Sequence, residues 1–451
     1  MAEPDHADVV IIGGGVVGCA IFRRLAIAGL RPLLLERGAD ILSGASKGNS
    51  AILHTGFDAP TGSLEVACMQ AGYREYLAIH EKLNLPLLET GALVVAWDAA
   101  QLERLSGIVA QAHANGVADV AQISADEIRR REPSLAAHAR GAVFVPREHL
   151  IDPWSAPLAY ALQGIAHGGR IRRGCAVAGG SFANGRWSLE TGQGAVTAGI
   201  VINAAGNHGD RVEAICRPSP FKVTPRKGQF VVFDKPAAQL IRSIILPVPT
   251  ERTKGIVICR TVFGNVIVGP TAEDQEERDL AEVDHDMLEM LVTKGRELLP
   301  GLAGIGVNAL YAGLRPATQF KDYQIEALPD RAWITVAGIR STGLTAALGI
   351  ASHVADLYSR HFKPLADAEP IWTPVPNLCE ERARPYIEKG SDIVCHCEWV
   401  TRGEIAAALE GPLPAGDVGG LKRRTRAMMG RCQGFYCSAQ VAALAQDRLK
   451  L

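Results

Sequence analysis

The 451-residue chain contains no run of 18 or more apolar residues, since Arg23-Arg24 interrupt the longest candidate. A membrane-spanning helix is therefore not expected. It also has almost no net charge, −1 from 47 basic against 48 acidic side chains, which excludes the basic footprint of a nucleic-acid-binding protein. Its start, MAEPDHAD, lacks the basic and apolar stretches of a secretory signal, so a cytoplasmic setting is expected. Only one strand–GxGxxG–helix unit occurs, leaving none for a second dinucleotide such as NAD(P)H. Apolar residues make up 47% of the chain, enough for large cores, and the length suggests two or three domains.

The stretch from Asp8 to Arg37, DVVIIGGGVVGCAIFRRLAIAGLRPLLLER, organises the rest. Asp8 to Ile12 read as a short buried strand, Cys19 to Gly29 as a helix, and Arg31 to Leu35 as a second strand. Gly13 permits the tight turn, Gly15 lets the backbone approach a pyrophosphate, and Gly18 lets helix and strand pack closely. The helix N-terminus offers free N–H groups to phosphates. Glu36 stands where a carboxylate accepts hydrogen bonds from ribose hydroxyls, with Arg37 beside it. Dinucleotide binding is the reading this context supports over a structural Gly-rich turn.

Beyond Glu36, Ser43 to Ser50 is small, polar and Gly-containing, suited to wrap a pyrophosphate and approach a flat ring; Ser46, Asn49 and Ser50 are its candidate contacts. Ala51 to His54 reads as a short strand delivering His54 to an interior. A helix follows through Val66, Met69, Tyr73, Leu77 and Ile79. Leu87 to Trp97 is expected as a strand pair, Ala99 to Asn115 as a surface helix, and Ser124 to Arg131 as a helix ended by Pro133. Asp152-Pro153 should cap a helix running to about His167. Ala198 to Asn203 is a strand entering Ala204 to Asp210, which places Ala205 and Gly206 at a second turn over the cofactor. Arg226 to Phe233, Gly255 to Arg260 and Asn265 to Val268 predict a mostly antiparallel sheet roofing the site, and Asp284 to Leu299 a helix. Trp333 to Ala337 and Thr345 to Tyr358 form a last strand and helix. Between them Gly338 to Gly343, with Leu344 and Thr345, make a glycine-bounded turn whose helix dipole suits a negative ring edge. Pro364 to Pro385 reads as a linker.

Ten cysteines are unevenly placed: six lie singly from Cys19 to Cys379, and four crowd the last 60 residues. Cys395 and Cys397 form C-x-C, Cys432 and Cys437 form C-x4-C, and 34 residues separate the pairs. Four thiolates hold an iron–sulfur cluster or zinc; structural zinc favours two to four intervening residues, so the asymmetric pairing fits a cluster better, with unrelated buried thiols as the bland alternative. The basic run Lys422 to Arg426 is either a solvated face or a set of cations offsetting an all-thiolate cluster.

These residues carry a resemblance. VCHCEWVTRGEIAAAL…LKRRTRAMMGRCQGFYC resembles the bacterioferritin-associated-ferredoxin-like [2Fe–2S] domain, which implies Cys395, Cys397, Cys432 and Cys437 as cluster ligands. The first 360 or so residues resemble the D-amino-acid-oxidase-like FAD-dependent oxidoreductases, with Gly13, Gly15, Gly18, Glu36, Asn203 to Gly206 and Gly338 on FAD-binding positions. The combination is similar to anaerobic glycerol-3-phosphate dehydrogenase large subunits. It implies an α/β fold: an FAD-binding Rossmann-like domain (about 1–85, 145–215 and 325–362) with an inserted mostly antiparallel-sheet substrate domain (about 86–144 and 216–324). A linker (363–390) and a small helical [2Fe–2S] domain (391–451) complete it. LHTGFDAPTGS lacks the arginine that the phosphate-binding relatives carry after this segment, and looks instead like the HAG…PGSLKA stretch of L-2-hydroxyglutarate dehydrogenases. His54 matches the histidine of both groups, Arg315 in GLRP the substrate-side arginine of the phosphate family, and Arg340 stands near its GGK lysine.

The chemistry implied is hydride transfer from a substrate C–H to flavin, with His54 as the base and Arg315 and Arg340 on an anionic group. The competing readings are a core histidine for His54 and a structural ion-pair partner for Arg315. A one-electron cluster tethered to a two-electron flavin implies export to an acceptor protein, partner subunit or quinone, with peripheral membrane association through a partner. Three functions compete: dehydrogenation of a small hydroxylated anion, oxidation of an amine or imino acid, and a non-catalytic electron-transfer subunit.

Overall fold

The structure, a computed structural model, describes residues 5–249, 255–366, 368–382 and 392–449. Its centre is a run of five parallel strands, Arg170–Arg172, Leu33–Leu35, Asp5–Ile12, Val196–Asn203 and Trp333–Ala337. The middle strands read as near-continuous apolar runs because helices cover the sheet. Val16–Ile27 packs on both Ser155–Ala166 and Gly343–His361, and Leu64–Ile79 packs on the latter. Small residues set that last approach, since a Cβ on Gly72 would come 2.1 Å from the Thr345 carbonyl oxygen. Asp152 caps Ser155–Ala166 as expected, accepting from the N–H groups of Trp154 and Ser155.

A nine-stranded, mostly antiparallel sheet forms the roof. Its long hairpin-like pair, Val223–Phe233 and Val307–Thr318, places Arg226 opposite Arg315. A small sheet of Ile52–Leu53, His149–Ile151 and Leu87–Glu89 joins the two layers. The expected strand pair at 87–97 is therefore two strands that do not pair with each other. Leu87–Glu89 joins the small sheet, whereas Ala92–Ala96 pairs with Gly141–Val145 and Ile244–Pro247 of the roof. Gly91, at φ +63°, makes the bend between them.

The proline-rich segment differs from a free linker. Val375 N–H donates to the Leu83 carbonyl at 3.1 Å, Asn84 Nδ2 donates to the Val375 carbonyl, and the Lys82 ammonium lies 4.7 Å from the Trp372 ring centre. Leu378 is buried in the roof core, and Glu380 N–H donates to Val262 O at 2.8 Å. The prolines remove donors and periodicity, but the segment lies as a strap over both layers. The remainder of the expected linker, 383–390, lies outside the described residues. The C-terminal unit has a short hairpin, Ile393–Cys395 with Val400–Thr401, and helices Arg402–Glu410, Val418–Thr425 and Ser438–Ala445. Its core is small, built on Val394, Val400, Ile405, Leu409, Leu421 and Val441.

Candidate functional site

A cavity of about 580 Å³ runs from the first turn to the underside of the roof. Each glycine of the turn has a separate steric reason. Gly13 has φ +113°, and a Cβ there would sit 2.4 Å from the Ala204 carbonyl oxygen. On Gly18 it would sit 1.9 Å from the Gly13 carbonyl, so helix and strand could not close; Gly18 lies behind the lining. A Cβ on Gly15 would meet only Ser46 Oγ, at 3.1 Å, and would otherwise project into the cradle. Ser46 Oγ accepts from Val16 N–H at 3.0 Å, tying the 43–50 loop to the helix start.

Glu36 is buried, each oxygen accepting one backbone N–H: Oε2 from Gly14 at 2.7 Å and Oε1 from Gly38 at 2.6 Å. A carboxylate has about four acceptor positions, so two remain for hydroxyl donors. Arg37 lines the cavity beside it. Its guanidinium pairs with Asp279, which also takes His208 Nε2 at 2.9 Å. The Arg37 bond, strengthened by proximity of charge, holds the Asp279 carboxyl down at about 2. Arg37 therefore clasps the edge of the cavity to the roof segment. Asn49, Ser50, Ala205, Gly206, Gly338, Gly343 and Leu344 all line the cavity, whereas Thr345 does not. Its hydroxyl is instead spent on backbone, accepting from His54 N–H and donating to Ile52 O. Two lining residues carry buried polar atoms without a hydrogen-bond partner among the described residues: Arg340 Nε and Asn207 Oδ1. An open cradle at a helix N-terminus, a carboxylate with spare acceptor capacity and orphaned polar atoms fit a bound dinucleotide.

Arg315 lines the roof end. Its guanidinium donates to three carbonyls, Thr271 at 2.7 Å, Lys227 at 3.2 Å and Arg226 at 3.4 Å, and forms no ion pair among the described residues. Burial, helped by neighbouring Arg226, lowers it to about 10, so it is still charged at neutral pH. An ion-pair role is thus not what the structure gives it. Arg340 also lines the cavity, but one of its terminal nitrogens donates to Phe320 O.

His54 does not line this cavity. Its Nδ1 lies 2.7 Å from Oε2 of Glu148, a carboxylate with no solvent exposure whose Oε1 accepts from Thr55 N–H at 2.6 Å and Thr55 Oγ1 at 2.8 Å. The small sheet makes the pair: Leu53 is opposite His149, bringing Glu148 beside His54. Sequence reasoning missed Glu148, although a carboxylate just ahead of an apolar strand was a signal. The segment after His54 turns away from the cavity, with Phe57 buried in the roof core and Asn115 Nδ2 donating to the carbonyls of Gly56 and Ala59.

The four clustered thiols meet as two facing pairs, Cys397 with Cys432 and Cys395 with Cys437. Two irons sharing four thiolates need such a two-plus-two division. The N–H groups of Tyr436, Gly434 and Phe435 aim at the Cys432 sulfur and hold its pKa below the usual thiol value. The other cysteines are buried singly, apart from half-buried Cys379. The basic run is neither a solvated face nor directed at the thiols. Arg424 forms a bidentate, buried pair with Asp40, which also accepts from Gly416 N–H and from Arg173 at 3.3 Å; Arg423 donates to Ile41 O at 3.1 Å. Arg426 Nε lies 3.2 Å from Glu398 Oε2. Arg423 and Arg424 dock the C-terminal unit on the turn that follows Glu36, whereas the Arg426 pair lies within the unit.

Residues 8–357 match the family described as "FAD dependent oxidoreductase", and residues 393–447 match the "BFD-like [2Fe-2S] binding domain". A glycerol 3-phosphate dehydrogenase of Caloramator mitchellensis is 30% identical over 98% of this chain and 94% of its own. An L-2-hydroxyglutarate dehydrogenase of Indibacter alkaliphilus is 28% identical over 59% of this chain and 67% of its own. The dithionite-reduced L-α-glycerophosphate oxidase of Mycoplasma pneumoniae, solved with FAD bound, superposes with a TM-score of 0.76 at 25% identity, covering 83% of this chain and 99% of that one.

Proposed function

Because the chain belongs to the FAD-dependent oxidoreductase family and carries a [2Fe–2S]-binding domain, we propose that it dehydrogenates a small anionic secondary alcohol, glycerol 3-phosphate or a 2-hydroxy acid. Its electrons leave singly, through the cluster, to a one-electron acceptor protein or partner subunit. The observation that carries the substrate class is Arg315, a half-buried guanidinium at the roof end of the cavity whose hydrogen bonds among the described residues go to carbonyls. Asp274, the opposite charge acting on it, is already paired with Arg226, and a carboxylate or phosphate would supply a counter-charge of its own through a bidentate fork. Names of the relatives support the same two substrate types.

The bound flavin supplies the hydride acceptor; the first turn, Glu36 and the 43–50 and 338–344 segments hold it. Arg315 orients the anion. Proton removal from the hydroxyl is assigned to His54, with Glu148 orienting its ring and offsetting the charge it gains, the logic of an acid–histidine pair. That assignment rests on the buried pair and its loop, since the ring stands behind the cavity lining.

The test is anaerobic bleaching of the flavin by a panel: glycerol 3-phosphate, L-2-hydroxyglutarate, glycerol, and small amino and imino acids. Bleaching by the two hydroxylated anions and not by glycerol is expected. Bleaching by amino or imino acids alone overturns the alcohol chemistry, and no bleaching by any member leaves the electron-transfer subunit as the surviving reading.

A further inference from the structure

A continuous bridge of packed side chains joins the loop lining the cofactor cavity to the thiol pairs. Gly48, Asn49 and Ser50 line the cavity, and the carbonyl of Lys47, one residue before them, accepts from the Trp154 indole N–H at 3.1 Å. The Trp154 ring stacks on Phe263, with centroids 5.3 Å apart and planes within 11°. The Arg426 guanidinium sits over the other aromatic partner, 4.1 Å from the Phe263 centroid. Arg426 then pairs with Glu398, the residue bonded to Cys397.

Each part is unusually constrained for surface packing. Phe263, Arg426 and Glu398 are all buried, and Trp154 packs against both the sheet core and the roof core. Arg426 ends helix Val418–Thr425 in a left-handed backbone, φ +69°, a conformation uncommon for a non-glycine residue. The offset-stacked ring pair and the cation over it are favourable contacts, and the cation makes its contact across a seam between the two units of the chain.

We propose that Trp154 and Phe263 form the electron-tunnelling bridge between flavin and cluster. Tunnelling decays steeply with distance and more steeply across gaps than through packed matter, so two stacked conjugated rings leading to the seam, with Arg426 packed over Phe263 from the other side, favour transfer there. Each passage removes one electron from reduced flavin, whose proton goes to solvent, and converts one ferric ion of the cluster to ferrous. A one-electron acceptor protein must reoxidise the cluster before the second passage. The inference rests on the electron-export reading above, but not on the identity of the substrate.

The experiment uses the full-length protein loaded with both cofactors. A light flash with an external photoreductant reduces the flavin without substrate, and cluster reduction is followed by its absorbance and electron paramagnetic resonance signal. Hydrogen exchange over Gly416–Arg426 reports whether the C-terminal unit stays docked. Trp154→Leu and Phe263→Leu should each slow cluster reduction severalfold with unchanged exchange protection, and Trp154→Phe should recover most of the rate. Cluster reduction at the parent rate in both Leu variants overturns the bridge. So does slowing that tracks lost protection, because the rings would then serve docking alone. If the parent's cluster is never reduced after the flash, the export reading fails and the bridge with it, a result distinct from either variant outcome.

Discussion

Replacing Asp40 by Ala should release the C-terminal unit from the rest of the chain. The carboxylate has no solvent exposure and is bonded by both terminal nitrogens of Arg424, whose side chain is 7% exposed, with Arg173 at 3.3 Å and the N–H groups of Ile41 and Gly416 adding to the set. Removing one member of such a buried pair leaves an uncompensated charge and costs about 3–5 kcal/mol, against about 0–1 kcal/mol for an exposed pair. Arg424 escapes that cost by undocking, so the loss should appear as a fall in the opening free energy of the amides at 416–426, read by hydrogen exchange, with the sheet-core amides unaffected. Gly420→Ala gives an independent route to the same state. A Cβ there would lie 1.7 Å from Asp40 Oδ2, although Ala favours the isolated helix by up to about 1 kcal/mol. Burial raises the Asp40 pKa, but the Arg424 bonds and charge outweigh it and leave the carboxyl below its usual value. Docking is therefore at full strength above about pH 4, the unfolded carboxylate's range, and weakens only as pH falls through the lower folded value. If Asp40→Ala shifts the opening free energy by less than about 1 kcal/mol, the pair behaves as a surface one and the docking argument is wrong.

Glu36→Ala should weaken FAD binding by roughly 10- to 100-fold, since charged-acceptor hydrogen bonds contribute about 1.5–3 kcal/mol each; fluorescence titration of the flavin-free protein measures it. Cys432→Ser should remove or destabilise the cluster's visible absorbance, whereas Cys259→Ser, at a buried thiol in the roof core, should leave it intact; zinc without iron after anaerobic purification would contradict the cluster. Arg315→Ala should lower kcat/KM for the anionic substrate by roughly 10- to 100-fold for a lost charge-assisted pair of about 1.5–3 kcal/mol. A neutral analogue assayed beside it should lose far less, and equal losses would make Arg315 structural.

The cofactor half of the molecule was legible because its information is local. The turn from Gly13 to Gly18, the acid at Glu36 and the spacing of four cysteines are each contained in a short window whose chemistry has few alternatives. The contacts that escaped are those made across the chain. Glu148 meets His54 over 94 residues, through the pairing of two short strands whose partners no periodicity announces. Arg424 meets Asp40 over 384 residues, so a basic run that looked like a solvated face is an interface. The strap from Ile371 to Arg382 escaped for a different reason: proline hides extended, side-chain-anchored structure from patterns that rely on helix and strand periods. Composition gave no hint that Trp154 and Phe263 would stack, because each lies outside the strands, one at a helix start and one in a turn of the roof.

The turn from Glu36 to Asp40 has a consequence in time. Glu36 and Asp40 leave the ribosome early, and Arg424 follows 384 residues later. At about 5–20 residues per second that interval is roughly 20–80 s. Arg173 follows Asp40 by 133 residues, so for the rest of the interval Asp40 can find Arg173 but not Arg424, and its burial waits until nearly the whole chain has been made. A chain stalled or cut short of Arg424 would leave that carboxylate without its bidentate partner, a few residues from the cofactor turn.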